Sequence, residues 1–225
     1  MRIVIAGAHG RIARLLSRRL RGQDATVIGL IRNPDQRDDV RAAGAEPVVA
    51  DLESIDAAAL AQHVRGADAV VFAAGAGPGS GAARKDTVDR AAAVLLADAA
   101  QLAGVRRYLL VSSVGVDGPP PPGTDAVFAA YLRAKAAAEE AIRGRDLDWT
   151  IVRPGRLTDD DPTGRVRLAA GVDRGEISRA DVAAVLAALL TTAGTAGITA
   201  GLVSGETPVA RAVAELTSAG PGRHA

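Results

Sequence analysis

Gly7-Ala8-His9-Gly10-Arg11-Ile12-Ala13 constrains this chain more than any other stretch. An apolar run, Arg2–Ala6, leads into it, and a helical pattern reaching about Arg21 leaves it, so the glycines stand at a strand-to-helix turn. Such a turn lets backbone N–H groups approach a pyrophosphate closely, and the N-terminus of the following helix adds a dipole that favours the anion. As a bare glycine pattern the signal is weak. Its place at the start of a strand–helix–strand unit gives it content. Ala13, where a third glycine often stands, still permits close packing of helix on strand. The competing reading is a tight turn that binds nothing.

Strand-like runs at residues 2–6, 25–31, 46–50, 67–73, 107–112 and 148–153 alternate with helical patterns at 34–43, 55–64, 84–103 and 126–143. The runs are nearly continuous in Val, Ile, Leu and Ala, as in parallel strands covered on both faces. The expected class is therefore α/β, a Rossmann-type doubly wound parallel sheet with helices on both faces. Past Pro154 the alternation loosens into short runs at 165–168, 176–177 and 201–203 and helical patterns at 179–190 and 208–216. Residues 154–217 read as a small C-terminal cap over the substrate side of one domain spanning 1–217, with 218–225 as a disordered tail. Two glycine- and proline-rich loops, 75–81 and 118–123, follow strands four and five, at the ends where open α/β sheets bind ligands.

Composition narrows the functional classes. The 225 residues are 48% hydrophobic with a net charge of +1, and no basic block supplies a footprint for nucleic acid. No cysteine is present, which removes disulfides, thiol chemistry and zinc-thiolate sites. No secretory signal or membrane-length apolar stretch is visible, so a cytoplasmic protein without a membrane partner is expected, as a monomer or homodimer. His9, His63 and His224 are dispersed, and no metal site is expected. The run Asp159-Asp160-Asp161 reads as a solvated loop.

The end of the second strand decides between dinucleotides. A carboxylate there accepts the ribose hydroxyls of NAD, whereas an arginine accepts the 2′-phosphate of NADP. The run ends Leu30-Ile31-Arg32-Asn33, and the nearby acid, Asp24, lies at the wrong end of the strand. Arg32 points to NADP rather than NAD, with Arg11 as an auxiliary cation. Asp51 and Leu52, closing the third strand, are placed beside adenine.

Tyr131 and Lys135 stand four residues apart on a helical pattern, hence on one face. A phenol is a poor acid–base group at neutral pH until a fixed cation favours its ionised form. Such a pair can move a proton while hydride moves to or from a nicotinamide. The pattern is common by itself, but tyrosine is scarce here, and the pair follows the fifth strand. Ser112-Ser113 closes that strand with a hydroxyl able to polarise a carbonyl; which serine faces the site is open.

Together with Leu147-Asp-Trp-Thr-Ile-Val-Arg-Pro-Gly155, Ile177-Ser-Arg-Ala-Asp-Val-Ala183 and Ser204-Gly-Glu-Thr-Pro208, these motifs resemble the atypical short-chain dehydrogenase/reductases. The nearest resemblance is to the small bacterial NAD(P)H-binding group, which is epimerase/dehydratase-like and more distantly related to flavin and biliverdin reductases. The resemblance implies that Gly7, His9, Gly10, Arg11 and Ile12 hold the pyrophosphate and Arg32 the 2′-phosphate. Asp51 and Leu52 would flank adenine, Ala73, Ala74 and Gly75 would line the ribose, and Pro154 would border the nicotinamide. Ser113, Tyr131 and Lys135 would be catalytic, with Lys135 also on the nicotinamide ribose. The expected activity is an NADP(H)-dependent oxidoreductase acting on a small carbonyl, quinone or flavin-like acceptor. The alternatives are a non-catalytic NADP(H) sensor, a reductase in which proximity alone delivers hydride, and epimerase/dehydratase-like isomerisation. The loop between Ser113 and Tyr131 is shorter than in epimerases and carries the proline run, which bears against a sugar-nucleotide substrate.

Overall fold

A computed structural model describes residues 1–77 and 79–218. Pro78 of the glycine-rich loop and residues 219–225 of the expected tail lie outside the described residues; Ser218, the first of that tail, closes the last helix.

The chain runs β1 (Arg2–Ala6), α1 (Arg11–Arg21), β2 (Thr26–Ile31), a 3-10 turn (Pro34–Gln36), α2 (Arg37–Ala42), β3 (Glu46–Val49), α3 (Ala57–Val64) and β4 (Ala69–Phe72). There follow α4 (Ala82–Arg84), a π-helical segment (Lys85–Ala91), α5 (Ala92–Leu102), β5 (Arg107–Val111), α6 (Ala126–Arg143) and β6 (Asp148–Pro154). The last part holds β7 (Arg156–Thr158), β8 (Arg165–Ala169), β9 (Glu176–Ser178), α7 (Arg179–Thr191), β10 (Ile198–Ser204), β11 (Thr207–Pro208) and α8 (Val209–Ser218).

Among the described residues the central sheet has nine strands in the order β11-β8-β10-β6-β5-β4-β1-β2-β3. From β3 to β10 every neighbour is parallel; β8 and β11 are antiparallel additions. The chain steps outward one way through β2 and β3 and the other way through β4, β5 and β6. A crevice therefore opens at the carboxyl ends of β1 and β4, where the order reverses.

The apolar runs are continuous because the sheet separates two cores. Ile3 and Ile5 of β1 face Leu16 and Leu20 of α1 and the apolar side of α7, while Val4 and Ala6 face Leu60, Phe72 and Leu96. All four β1 residues are fully buried, so neither face tolerates a polar residue. Each large aliphatic side chain buried in this way is worth about 1.5–3 kcal/mol.

Two expectations need correction. The segment past Pro154 is not a cap alone: β10, β8 and β11 extend the central sheet, α7 packs on α1, and the two-stranded β7–β9 sheet stands apart. Arg165–Ala169 alternates exposed and buried positions, the pattern of an antiparallel strand with one wet face, which pairs with β10 rather than covering it. The helix expected at 84–103 is interrupted by the π-helical segment, which turns Lys85 and Asp89 inward. No described helix is long and apolar enough to cross a membrane.

Candidate nucleotide and catalytic site

Gly7 sits at φ +77° at the end of β1, and a Cβ added there would lie 2.5 Å from Ala74 Cα. Only a residue without a side chain lets the turn approach the β4 loop so closely. The Gly10 N–H closes the turn on Gly7 O at 2.9 Å, and the Ala8 N–H donates to Leu30 O at 3.1 Å, seating the turn on β2. Gly10 is the N-cap of α1, and no side chain caps the helix. Its first-turn N–H groups and dipole thus face the crevice as an anion site. An open turn that a Cβ would fill, backed by uncapped N–H donors, fits a dinucleotide pyrophosphate.

A cavity of about 280 Å³ opens there. Gly7, His9 and Gly10 form one end; Ala73, Ala74 and Gly75 form a wall; Leu30, Ile31, Arg32, Asp51 and Leu52 form the other end. These are the positions expected to hold the pyrophosphate, ribose and adenosine. His9 Nε2 lies 2.8 Å from Asp39 Oδ2 on α2, and that hydrogen bond, with help from Arg14, holds the Asp39 carboxyl below its usual range.

Arg11 and Ile12 lie off the cavity. Arg11, at the first position of α1, points outward and pairs with Asp159, which also accepts from Arg179 Nη1 at 2.8 Å. Asp159 is thus not a purely solvated carboxylate but a bridge between the starts of α1 and α7. Ile12 packs on the core face.

Asp24 is not the acid that matters to Arg32; a carboxylate from another part of the chain stands beside it. The turn after β3 brings up Glu53, whose Oε2 lies 3.2 Å from Arg32 Nη1 and 2.5 Å from Arg84 Nη2, while Thr87 Oγ1 donates to Oε1 at 2.7 Å. Arg84, Thr87 and Arg32 together hold the Glu53 carboxyl below its ordinary value. Glu53 and Arg84 both line the cavity.

The catalytic candidates lie off the cavity lining, Ser113 past the carboxyl end of β5 and Tyr131 and Lys135 on α6. Ser112 is buried and donates to Glu139 Oε1 at 2.5 Å, whereas Ser113 is half-buried and directs its hydroxyl to Val114 O at 3.1 Å. Ser113 is therefore the less buried of the two serines and the one not committed to a buried carboxylate. Pro154 is buried at the end of β6, its carbonyl accepting from Val114 N at 3.0 Å. On α6, Tyr131 stacks on Phe128 with ring centroids 5.7 Å apart, and Lys85 and Lys135 Nζ stand 5.7 and 5.9 Å from its ring centre. Lys135 is buried, donating to Val111 O at 3.0 Å and lying 3.4 Å from Asp89 Oδ1. The other Asp89 oxygen accepts the Ala76 N–H at 3.2 Å. Asp89 carries no local sequence signal beyond a charge at an otherwise apolar helical position.

Ser112 belongs to a second buried cluster. Glu139, 1% exposed, accepts from Arg153 Nε at 2.9 Å and Nη2 at 2.7 Å and from Arg143 Nη2 at 2.6 Å. The cluster bolts α6 to the ends of β5 and β6 and so fixes the helix that carries Tyr131.

Residues 7–193 match the model of the NAD(P)H-binding family. An uncharacterised sugar epimerase, YhfK, of Bacillus subtilis is 33% identical over 96% of this chain and 100% of its own. The structure of a putative NAD-dependent epimerase/dehydratase from Bacillus halodurans superposes with a TM-score of 0.88 at 35% identity, covering 96% of this chain and 99% of that one. The oxidoreductase ylbE of Lactococcus lactis gives 0.85 at 27% identity, with 97% of each chain covered. A glycine turn that fits a pyrophosphate, a Rossmann sheet and these similarities agree, and the chain belongs to the NAD(P)H-binding family of atypical short-chain dehydrogenase/reductases, proteins built around a nicotinamide cofactor.

Proposed function

We propose that the protein is an NADP(H)-dependent oxidoreductase for a small carbonyl, quinone or flavin-like acceptor. One observation carries the reading: Asp89 ties the Ala76 N–H of the cavity wall to Lys135, and Lys135 lies under the Tyr131 ring. The nucleotide cavity and the candidate proton donor thus share one rigid connection.

Bound NADPH supplies the hydride. Tyr131 gives its hydroxyl proton to the oxygen of the reduced acceptor, and the Lys135 ammonium stabilises the phenolate left behind. Val111 O and Asp89 fix that ammonium, so its charge needs no reorganisation as the proton leaves. Ser113 turns its hydroxyl from Val114 O to the acceptor oxygen. Ser112 is unsuited to this, being committed to Glu139. Gly7 and Gly10 would let the pyrophosphate approach the free first-turn N–H groups of α1, which would hold it, and Arg32 would take the 2′-phosphate.

A second reading, in which proximity alone delivers hydride and the triad is idle, is favoured by the observed hydrogen bonds. The hydroxyl of Ser113 goes to Val114 and the charge of Lys135 is met by Asp89. NADPH oxidation against a panel of aldehydes, ketones, quinones and free flavins separates the two. Tyr131→Phe should lower turnover by about 100-fold or more, the usual contribution of a positioned acid. An unchanged rate would establish the second reading. NADP binding at micromolar affinity with no turnover on any acceptor would replace both by a sensor.

A further inference from the structure

From the bridge at the adenosine end of the cavity, we infer that Glu53 is a specificity-determining residue that sets the preference between the 2′-phosphate and 2′-hydroxyl forms of the dinucleotide. The inference rests on the reading of Arg32 as the phosphate-facing residue and adds two residues to it.

One carboxylate oxygen, Glu53 Oε2, serves both Arg32 and Arg84, while Thr87 fixes the other. The Glu53 side chain is 26% exposed, whereas the arginines keep 54% and 38% of their side-chain surface, so the bridge partly covers the acid while both guanidinium-bearing residues still line the cavity. Two arginines alone would form a dicationic cradle for a phosphate dianion. With Glu53 between them, and Asp51 close by on the same turn with its Oδ1 on the Glu53 N–H at 3.1 Å, the local charge is balanced. A 2′-phosphate must then compete with Glu53 for both guanidinium groups. A 2′-hydroxyl meets no such competitor and has a carboxylate to donate to. Glu53 therefore restrains 2′-phosphate binding and keeps the hydroxyl form within reach, and Arg84 is a second phosphate contact reached from α4.

The test is binding of NADP and NAD by calorimetry to the full-length protein and to Glu53→Gln, Arg84→Ala and Arg32→Ala, repeated with 2′-AMP and 5′-AMP as minimal probes. Glu53→Gln keeps the shape of the side chain, and its position in an exposed turn leaves the fold intact, which a urea midpoint checks. It should tighten NADP by about tenfold, the scale of one charge-assisted contact, and weaken NAD by a few-fold, since the amide is a poorer acceptor for the 2′-hydroxyl than the carboxylate. Arg84→Ala should weaken NADP and 2′-AMP selectively. If Glu53→Gln leaves the NADP-to-NAD ratio unchanged, or lowers it, while Arg32→Ala still loses NADP selectively, the role of Glu53 is overturned and that of Arg32 stands. If Arg32→Ala weakens both dinucleotides equally, the reading of Arg32 fails, and the bridge is structural only.

Discussion

Replacing Gly7 by alanine tests the link between the glycine turn and both stability and binding. At φ +77° the backbone is left-handed, where a non-glycine residue costs about 1–2 kcal/mol. Alanine also restricts the unfolded chain, which returns about 0.4–1 kcal/mol, so the backbone alone leaves a loss near 1 kcal/mol. The added methyl is the larger effect. It would stand 2.5 Å from Ala74 Cα and 2.7 Å from Ala74 N, both backbone atoms that no rotamer change can move. Forcing the turn and the β4 loop apart adds an overpacking cost of about 1–3 kcal/mol. The expected total is about 2–4 kcal/mol, read from urea unfolding with an unchanged m-value. Because Ala73, Ala74 and Gly75 form the cavity wall, the same displacement should weaken dinucleotide binding at least tenfold, about one unit in log Kd. Gly10→Ala is the internal control: its Cβ would meet Gly7 O at 3.1 Å, so a shift of a few tenths of an ångström suffices and the loss should be smaller. A Gly7→Ala protein within about 0.5 kcal/mol of the parent, with unaltered nucleotide affinity, would refute the close-approach argument.

Three further outcomes are expected. Glu139→Ala leaves Arg153 and Arg143 facing a buried void and should cost about 3–5 kcal/mol in urea unfolding; a loss below 1 kcal/mol would show that water compensates the pair. Asp159→Ala breaks an exposed bridge, so stability should change by less than about 1 kcal/mol. It frees Arg11 beside the glycine turn, and dinucleotide affinity should rise at low salt and converge with the parent at high salt; equal affinities at all salt concentrations would count against it. The Glu53 carboxyl, held below the usual glutamate range chiefly by its hydrogen bond from Arg84, contributes stability that is present above that range and lost as pH falls through its lowered pKa. The acid limb of a stability–pH profile should flatten in Glu53→Gln, and coincident profiles would deny the linkage.

The parallel sheet was legible because both of its faces are covered. A strand such as β1, whose four consecutive apolar residues divide between two cores, announces itself without any partner in view. So did the turn, whose chemistry is local. The π-helical segment was not legible, since one extra residue in a turn leaves an apolar period almost unchanged while rotating Lys85 and Asp89 inward. Glu53 was hidden for a different reason. The register of β2 on β3, with Ile31 opposite Val49, brings the turn after β3 beside Arg32, and no local pattern encodes that pairing. Asp159 reaches Arg11 across 148 residues, a separation at which spacing carries no information. The last third misled because a strand returning antiparallel beside β10 looks, in isolation, like any short exposed ribbon.

The packing of α7 on α1 has a consequence for how the chain is made. The inner side of α1, with Leu16 and Leu20 fully buried, is completed only by residues from 179 onward. During synthesis β1 to β6 can pair as they emerge, but the helix behind the phosphate turn stays unroofed until α7 has left the ribosome. Nascent chains ending after β6 should therefore be cut by protease within α1 and fail to retain dinucleotide, whereas chains extending past α7 should resist and bind. Pyrophosphate recognition, although its glycine turn emerges early, becomes available only once α7 has followed.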